Sequence, residues 1–457
     1  LVVLGAGPGG YVAAIRAAQN GLKVAIIERE YWGGVCLNIG CIPSKALLKN
    51  AESIDLVKNR GKELGFSHEN LTVDYKVAFK RSRDASNRLT KGIGFLFRKY
   101  GVEHIEGMGK FLDANTLHVD LNDGGTKEVK AKNFVIATGA RPRELPGLEF
   151  DGEKVISYVE AIMSDSVPDS AVVVGSGAIG MEFTYVWANY GTKVTMVELL
   201  DRMLPREEPE ISQLMEKAYK KMGVDFKPKT TIKSLDRSGE KVKVEFSDDS
   251  AVEVDKVLVA VSFVPNVENI GLDAAGVQLS ERGMIAIDKQ MRTNVPNIYA
   301  IGDVTGELML AHVATAMGVV AAEVIGGHET IELEYIMMPR ATYTVPQVAS
   351  FGYTEEEAKA AGYDLNVGTF PYSANGRALG MGKKDGFVKI ISDAKYGEIL
   401  GAHMVGPDVA ELLPELTLAQ MNELTAEEIA RNVHAHPTLS EVVMEAAHNV
   451  EGQSVHN

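Results

Sequence analysis

The sequence predicts an α/β fold in which two βαβ units precede a C-terminal α+β module. The first observation is that a buried strand, a Gly-x-Gly-x-x-Gly turn, a helix, a second strand and an acid follow one another twice. This order is typical of Rossmann-like dinucleotide-binding domains. In the C-terminal part no such fingerprint occurs, so an α+β module is expected there. Its strand-like and helical runs alternate at 348–352, 355–361, 387–391, 399–402 and 410–421.

The first unit begins with a buried strand at residues 2–4 and ends at Glu28, after a strand predicted at 23–27. An alanine-rich helix is predicted from Tyr11 to about Asn20. Glycines permit a tight turn and a close approach of the backbone to a pyrophosphate, and the helix N-terminus faces the phosphates. The acid binds ribose hydroxyls. The turn glycines are Gly5, Gly7 and Gly10.

The second unit repeats this order, with strands predicted at 171–174 and 193–197, a helix from 181 to about 189, and Glu198 as the acid. Both acids follow the first glycine of their turn by the same 23 residues, so we expect two separate dinucleotide sites. An acid at Glu198 with no arginine until Arg202 favours a free ribose 2′-hydroxyl, which selects NAD over NADP. The turn residues are Gly175, Gly177, Ile179 and Gly180.

The chain has two cysteines, Cys36 and Cys41. On a continuous helix this spacing would put the sulfurs more than one turn apart, so a bridge between them needs a local distortion. Bridges of that kind are more often redox-active than structural. The alternatives are two reduced buried cysteines or half of a metal site. Zinc needs further cysteine or histidine ligands at short spacing, and none lies nearby, so we predict a redox dithiol and no metal.

Composition narrows the class of protein. The 457 residues suffice for three or four domains, and the 45% hydrophobic content and the even scatter of charge suit a soluble globular enzyme. A net charge of −15 argues against nucleic acid as a partner. No apolar run reaches membrane length. Two cysteines offer no disulfide scaffold, so a reducing cytoplasm is the expected location. Because Leu1 is not Met, we expect residues before it.

Four further motifs establish a resemblance. They are the run at 33–45 around the cysteines, Ala137-Thr138-Gly139, Thr293 followed by 298–303, and the run at 434–441. With the two fingerprints, they make the whole chain similar to the flavin-linked pyridine nucleotide-disulfide reductases. The cysteine run is closest to the dihydrolipoamide dehydrogenase branch, the E3 component of 2-oxoacid dehydrogenase complexes. A mercuric reductase would need a later cysteine pair, and a glutathione reductase would need basic residues near Glu198.

The resemblance implies roles for single residues. Lys45 would lie near the flavin and pair with Glu182. The alternatives are a helix N-cap for Asp303 and surface positions for Lys45 and Glu182. FAD would be bound by Gly5, Gly7, Gly10, Glu28, Gly109, Asp303 and Ala311. NAD would be bound by the second fingerprint with Ile179, Glu198 and Ser262.

The run His434-Ala435-His436-Pro437-Thr438-Leu439-Ser440-Glu441 contains the expected catalytic base. A histidine suits proton exchange with a thiol because its unperturbed pKa lies near neutrality. A helix after Pro437 could bring Glu441 back to orient the imidazole of His436. Taken alone, His434 and His436 could instead be a metal-binding pair. The resemblance implies that His436 is the base and that it acts on the Cys36–Cys41 disulfide of the other subunit of a homodimer.

The predicted domains are 1–145 for FAD, 146–265 for NAD, 266–336 as a central domain completing the FAD site, and 337–457 for dimerisation. The resemblance implies oxidation of protein-bound dihydrolipoyl groups, with hydride passed to NAD. The partner would be the lipoyl-bearing acyltransferase (E2), without nucleic acid or membrane insertion. A non-enzymatic surface-binding role is the rival interpretation. It would leave the dithiol and the base unexplained.

Overall fold

The computed structural model describes residues 1–456, and the chain divides into two compact units. One unit comprises residues 1–46, 76–143 and 262–335. The other comprises residues 47–75 and 144–261 and the described chain from Ile336 onward. The mixed α/β architecture confirms the predicted fold class. The division into four domains, with its three boundaries, stays a prediction.

The strands are given in chain order. They are β1 (Val2–Leu4), β2 (Ala25–Glu28), β3 (Glu103–Asp113), β4 (Thr116–Leu121), β5 (Thr126–Lys130), β6 (Phe134–Ile136), β7 (Ala140–Pro142), β8 (Val155–Ile156), β9 (Ser170–Val174), β10 (Lys193–Val197), β11 (Asp225–Lys227), β12 (Ile232–Asp236), β13 (Val242–Phe246), β14 (Ala251–Val254), β15 (Lys256–Val259), β16 (Phe263–Pro265), β17 (Ile298–Ala300), β18 (Arg340–Thr342), β19 (Gln347–Gly352), β20 (Leu365–Pro371), β21 (Phe387–Asp393) and β22 (Ile399–Gly406).

The helices follow the same order, with 3₁₀ turns at Gly302–Thr305, Tyr335–Met337 and Tyr372–Ala374. They are α1 (Pro8–Gln19), α2 (Gly34–Ile39), α3 (Cys41–Arg60), α4 (Tyr75–Tyr100), α5 (Tyr158–Met163), α6 (Ala178–Tyr190), α7 (Pro209–Lys221), α8 (Leu272–Ala275), α9 (Ala311–Gly326), α10 (Glu355–Ala360), α11 (Gly376–Gly380), α12 (Val409–Met421), α13 (Ala426–Arg431) and α14 (Glu441–Val450).

The first unit is built on a mixed sheet with the strand order β17-β6-β1-β2-β3-β4-β5. The strands from β17 to β3 are parallel, and β4 and β5 continue antiparallel. Parallel strands are covered on both faces, which explains why β1 is apolar and buried throughout. Helix α1 starts at Pro8 rather than at Tyr11, because proline is favoured at the first helical position.

Helices α1 and α9 cross closely inside the first unit. A side chain at Gly318 would place its Cβ 2.5 Å from the backbone oxygen of Gly9, and one at Gly9 would come within 2.8 Å of the oxygen of Ala314. Ala13 and Ala17 of α1 are fully buried as well. Small residues on both helices therefore allow backbone contact at the crossing.

The second unit contains a parallel sheet with the order β11-β10-β9-β15-β8 and an antiparallel one with the order β12-β13-β14. It also contains the predicted C-terminal module, an antiparallel sheet with the order β18-β19-β22-β21-β20. Helices α12 and α14 pack on that sheet, and their side chains share one buried core with it. Of the described helices, none is long and apolar enough to cross a membrane.

Candidate active site

The first fingerprint turn leaves an opening at the start of α1. Gly5 has a φ of +100°, and a Cβ there would lie 2.3 Å from the backbone oxygen of Ala137. A Cβ at Gly10 would lie 2.0 Å from the oxygen of Gly5. At Gly7, the residue that precedes α1, a Cβ would meet nothing within 4 Å. Gly5 and Gly10 are thus required by the fold, whereas the space at Gly7 fits a phosphate at a helix N-terminus.

Backbone N–H groups hold the carboxylate of Glu28. Its Oε2 accepts a hydrogen bond from Ala6 N at 2.7 Å, and its Oε1 accepts from Glu30 N at 2.9 Å and Tyr31 N at 3.2 Å. The acid at the end of β2 is therefore fixed beside the fingerprint turn. This is the position that a ribose-binding acid takes in a dinucleotide unit.

Asp303 lies in the 3₁₀ turn that follows β17. Burial raises the pKa of its carboxyl to about 6. The turn has no side-chain cap, so the N-cap alternative for Asp303 is wrong. Among the residues described, none forms a hydrogen bond with this carboxylate. A half-buried carboxylate without a described partner fits the polar chain of a bound cofactor, so the residues present are compatible with FAD.

The other two predicted FAD residues lie in β3 and at the start of α9. A Cβ at Gly109 would lie 2.6 Å from Cδ1 of Leu4, the end of a side chain that can shift, so packing favours a glycine there without requiring one. Ala311 is the first residue of α9 and is half-buried. Their contacts with FAD stay predictions.

The second fingerprint repeats the geometry of the first. Gly175 has a φ of +99°, and a Cβ at Gly180 would lie 2.0 Å from the oxygen of Gly175. Gly177 precedes α6, and a Cβ there would meet nothing within 4 Å. Ile179 is half-buried on the first turn of the helix. The same opening at a helix N-terminus therefore recurs in the second unit.

The carboxylate of Glu198, like that of Glu28, is held by hydrogen bonds from the fingerprint turn and from the backbone that follows the acid. Its Oε2 accepts hydrogen bonds from the N–H and the hydroxyl of Ser176, both at 2.9 Å, and its Oε1 accepts from Leu200 N at 3.0 Å. An anionic carboxylate fixed at this point would repel a 2′-phosphate. Ser262 is exposed, and its hydroxyl accepts from Arg143 Nε at 3.3 Å. Its role toward NAD stays a prediction.

The dithiol lies where two helices meet. Cys36 is in α2 and Cys41 is the first residue of α3, and Gly40 between the helices has φ −137° and ψ −114°. This break supplies the distortion that the spacing requires. Both thiols are reduced and half-buried, and the side chains of Cys36 and Cys41 form a hydrogen bond. That bond and burial raise the pKa of Cys36, while the ammonium of Lys45 opposes the rise.

Glu182 and Lys45 were predicted to form a pair. Glu182 is buried in α6, and its Oε1 accepts a hydrogen bond from Tyr343 N at 3.1 Å. The alternative that Glu182 is a solvated helix residue is therefore wrong. Lys45 is half-buried on the first turns of α3. Their pairing stays a prediction.

The expected base and its orienting acid are in contact. Nδ1 of His436 lies 2.8 Å from Oε1 of Glu441, and Oε2 of Glu441 accepts a hydrogen bond from Thr438 N at 2.8 Å. Burial would raise the pKa of Glu441, but the Thr438 N–H and the imidazole outweigh it and hold that pKa below its usual range. The side chain of His436 is 79% exposed. Its Nε2 is thus oriented outward by a fixed carboxylate.

The side chain of His434 is buried and hydrogen-bonded within the chain, and it does not pair with His436. Its side chain is only 4% exposed, its Nδ1 lies 2.8 Å from the oxygen of Asn432, and its Nε2 lies 3.0 Å from Glu415. Both ring nitrogens face acceptors, and the Glu415 carboxylate raises the pKa of His434. The metal-pair alternative is therefore wrong. The sequence offered no signal for Glu415, which lies 19 residues away on α12.

Comparisons with known proteins identify relatives along the whole chain. Residues 1–318 match the family described as pyridine nucleotide-disulphide oxidoreductase, and residues 338–447 match its dimerisation domain. The chain is 53% identical over 459 residues to the dihydrolipoyl dehydrogenase of Mycobacterium tuberculosis, covering 100% of this chain and 98% of that protein. It is 51% identical over 463 residues to the dihydrolipoyl dehydrogenase of Corynebacterium glutamicum, with the same coverage.

Solved structures share the fold over nearly the whole chain. The crystal structure of LpdA from Mycobacterium tuberculosis matches with a TM-score of 0.93 and 29% identity, covering 98% of this chain and 99% of that one. The HOCl-induced flavoprotein disulfide reductase RclA from Escherichia coli matches with a TM-score of 0.86 and 27% identity, covering 97% of this chain and 98% of that one.

Proposed function

We propose that this chain, which belongs to the pyridine nucleotide-disulphide oxidoreductase family, is a dihydrolipoyl dehydrogenase. The observation on which this rests is the 53% identity to a dihydrolipoyl dehydrogenase along the full chain. The site residues agree with it, since a dithiol, two openings at helix N-termini and an acid-oriented histidine are all present. The enzyme oxidises dihydrolipoyl groups and reduces NAD.

FAD and NAD are the cofactors. FAD is assigned to the first unit, with its phosphates at the opening beside Gly7, a ribose at Glu28 and its polar chain at Asp303. NAD is assigned to the second fingerprint, with its phosphates beside Gly177 and a ribose at Glu198. When bound, FAD supplies the path by which the electron pair of the dithiol reaches NAD.

The protein's own residues perform the thiol chemistry. His436, oriented by Glu441, removes a proton from one thiol of the dihydrolipoyl group. The resulting thiolate attacks Cys36, the Cys36–Cys41 bond breaks, and Cys41 leaves as a thiolate. The second substrate thiol then displaces Cys36 and closes the lipoyl disulfide, and its proton passes to the departing sulfur of Cys36. In total, the dihydrolipoyl dithiol and NAD⁺ give the lipoyl disulfide, NADH and a proton.

The partners belong to the same proposal. The match to the dimerisation domain supports a homodimer, in which His436 serves the dithiol of the other subunit. The 79% exposure of the His436 side chain in the single chain fits a group that a partner subunit covers. The lipoyl groups belong to the acyltransferase of a 2-oxoacid dehydrogenase complex. The cytoplasm is the proposed location.

Mixing the purified flavoprotein with dihydrolipoamide and NAD tests this function, with formation of NADH as the measurement. Cys36→Ser should abolish this reaction, because the disulfide cannot form. Transfer of electrons from NADH to an artificial quinone should survive in that variant, since it needs the flavin but not the dithiol. A wild-type flavoprotein that reduces quinones with NADH yet ignores dihydrolipoamide would refute the proposal.

A further inference from the structure

Helix α4 is a basic element on an acidic protein. The chain has a net charge of −15, yet the exposed residues of α4 include seven lysines and arginines and a single acid, Asp84. The even scatter of charge expected from composition is therefore wrong at this helix. A solvated helix usually mixes both signs, as α13 does by exposing Glu427 and Glu428 together with Arg431.

The basic residues of α4 occupy one face. Ala78, Ser82, Ser86, Ile93 and Phe97 are buried and recur at helical spacing, which leaves the opposite side to solvent. We call that side the basic face, and it is defined by Lys80, Arg88, Lys91, Arg98 and Lys99.

Most of this positive charge is not neutralised within the protein. Lys80, Arg88 and Lys91 have no ion-pair partner in the part of the chain that the structure describes. Two apolar side chains lie on the same side of the helix, Val77 at 65% exposure and Phe95 at 59%. Large exposed apolar groups among unpaired charges are typical of surfaces that bind another macromolecule.

The same helix packs against the segment that contains the dithiol. Arg83 Nη1 donates to the backbone oxygen of Asn38 at 2.6 Å, and Thr90 Oγ1 lies 3.3 Å from Oδ1 of Asn38. Asn38 is in α2, between Cys36 and Cys41. Arg81 Nη1 donates to the oxygen of Ala46 on α3 at 3.0 Å. A macromolecule held on α4 would therefore be held beside the redox cysteines.

We infer that the basic face of α4 docks the protein domain that bears the lipoyl group, and that this domain presents an acidic surface. The inference rests on the proposed function, in which the substrate dithiol is attached to a protein. A tethered dithiol reaches Cys36 more often if its domain is first held nearby. A basic face selects an acidic partner and speeds its association at low salt. Val77 and Phe95 supply short-range apolar contacts.

The test compares two substrates in two charge-reversed variants. Lys80→Glu/Lys91→Glu reverses the middle of the basic face, and Lys217→Glu/Lys221→Glu makes the same change of net charge on α7. The substrates are free dihydrolipoamide and the reduced lipoyl domain of the acyltransferase from the same organism. The α4 variant should lower kcat/KM for the lipoyl domain by about tenfold or more, the lower end of electrostatic steering effects, and leave free dihydrolipoamide within twofold.

The α7 variant should behave as the wild type with both substrates. Added salt should lower kcat/KM for the lipoyl domain in the wild type and have little effect in the α4 variant.

FAD content and turnover of free dihydrolipoamide show whether a variant is folded. If the charge-reversed α4 variant is not folded, the charge-neutralised variant Lys80→Gln/Lys91→Gln takes its place. Equal turnover of the lipoyl domain by both variants would overturn the docking surface while leaving the function intact. Binding of DNA or anionic vesicles that only the α4 variant loses, with that turnover unchanged, would assign the face to another partner.

Discussion

At the residue scale, the base depends on one hydrogen bond between neighbours in sequence. His436→Gln should lower dihydrolipoamide oxidation by about 10²-fold or more, the usual cost of losing a positioned general base. Reduction of quinones by NADH should change little, because that reaction needs no thiol deprotonation. Steady-state kinetics with both acceptors measure the difference. An equal fall of both activities would contradict the assignment.

The acid should matter less than the base that it orients. Glu441→Gln retains a group that can bond to Nδ1 of His436 but loses the charge that stabilises the imidazolium. We therefore expect a loss of dihydrolipoamide turnover smaller than that of His436→Gln. A loss that equals or exceeds it would indicate that Glu441 itself moves the proton. The 2.8 Å hydrogen bond from Thr438 N to Glu441 also makes the acid important for the loop, so the melting temperature serves as a control.

His434 should contribute stability that depends on pH. The Glu415 carboxylate raises the folded-state pKa of His434, so the contribution is complete below the unfolded pKa of about 6.5 and is lost as pH rises through the folded value. His434→Gln should thus lower the melting temperature more at pH ~6 than at pH ~9. His328→Gln, at an exposed histidine without a described carboxylate partner, is the control. If the difference in melting temperature between the wild type and His434→Gln grew with rising pH, the assignment of His434 as an imidazolium would be refuted.

Sequence reasoning reached the local part of this site and missed the rest. His436 and Glu441 are five residues apart, so a helix start after Pro437 was enough to predict their contact. Glu415 is 19 residues from His434 on another helix, and no local pattern links them. Asp303 lies inside a 3₁₀ turn whose N-cap is Ile301, which removes the N-cap alternative, and no local sequence pattern indicated where that turn begins.

At the element scale, both fingerprints separate glycines that the fold needs from glycines that a ligand needs. Gly180→Ala would put a Cβ 2.0 Å from a backbone oxygen, so it should lower the melting temperature and the yield of folded protein. Gly177→Ala meets no protein atom and should leave stability unchanged. It should raise the KM for NAD by about tenfold, roughly the value of one hydrogen bond to a charged group. A destabilised Gly177→Ala with unchanged KM would reverse this division.

Strand β10 and helix α4 show which elements the sequence pattern could predict and which it could not. Strand β10 was predicted with the bounds Lys193–Val197 that the structure has, because a glycine turn and an acid frame it. Helix α4 was not predicted, although it has 26 residues. Its buried positions include Ser82 and Ser86, so the apolar periodicity that reveals a helix is weak. The surface that we assign to the lipoyl domain lies on this unpredicted element.

At the scale of the whole molecule, the dimerisation module exposes apolar side chains in the single chain. Leu418 is 62% exposed, Met421 66% and Val433 92%, and Val433 directly precedes the histidine loop. Residues 338–447 match the dimerisation domain of the family. Apolar groups this exposed are typical of a surface that a partner covers. A partner subunit at this surface would lie next to His436.

If the dithiol of one subunit uses the histidine of the other, two inactive variants should complement each other. In a dimer of one Cys36→Ser chain and one His436→Gln chain, one site combines the intact dithiol of the second chain with the intact histidine of the first. The other site lacks both groups. A heterodimer purified with two different affinity tags should therefore show about half of the wild-type dihydrolipoamide turnover. Each variant purified alone, as a homodimer, should stay inactive. A verified heterodimer without activity would mean that each subunit builds its site from its own residues.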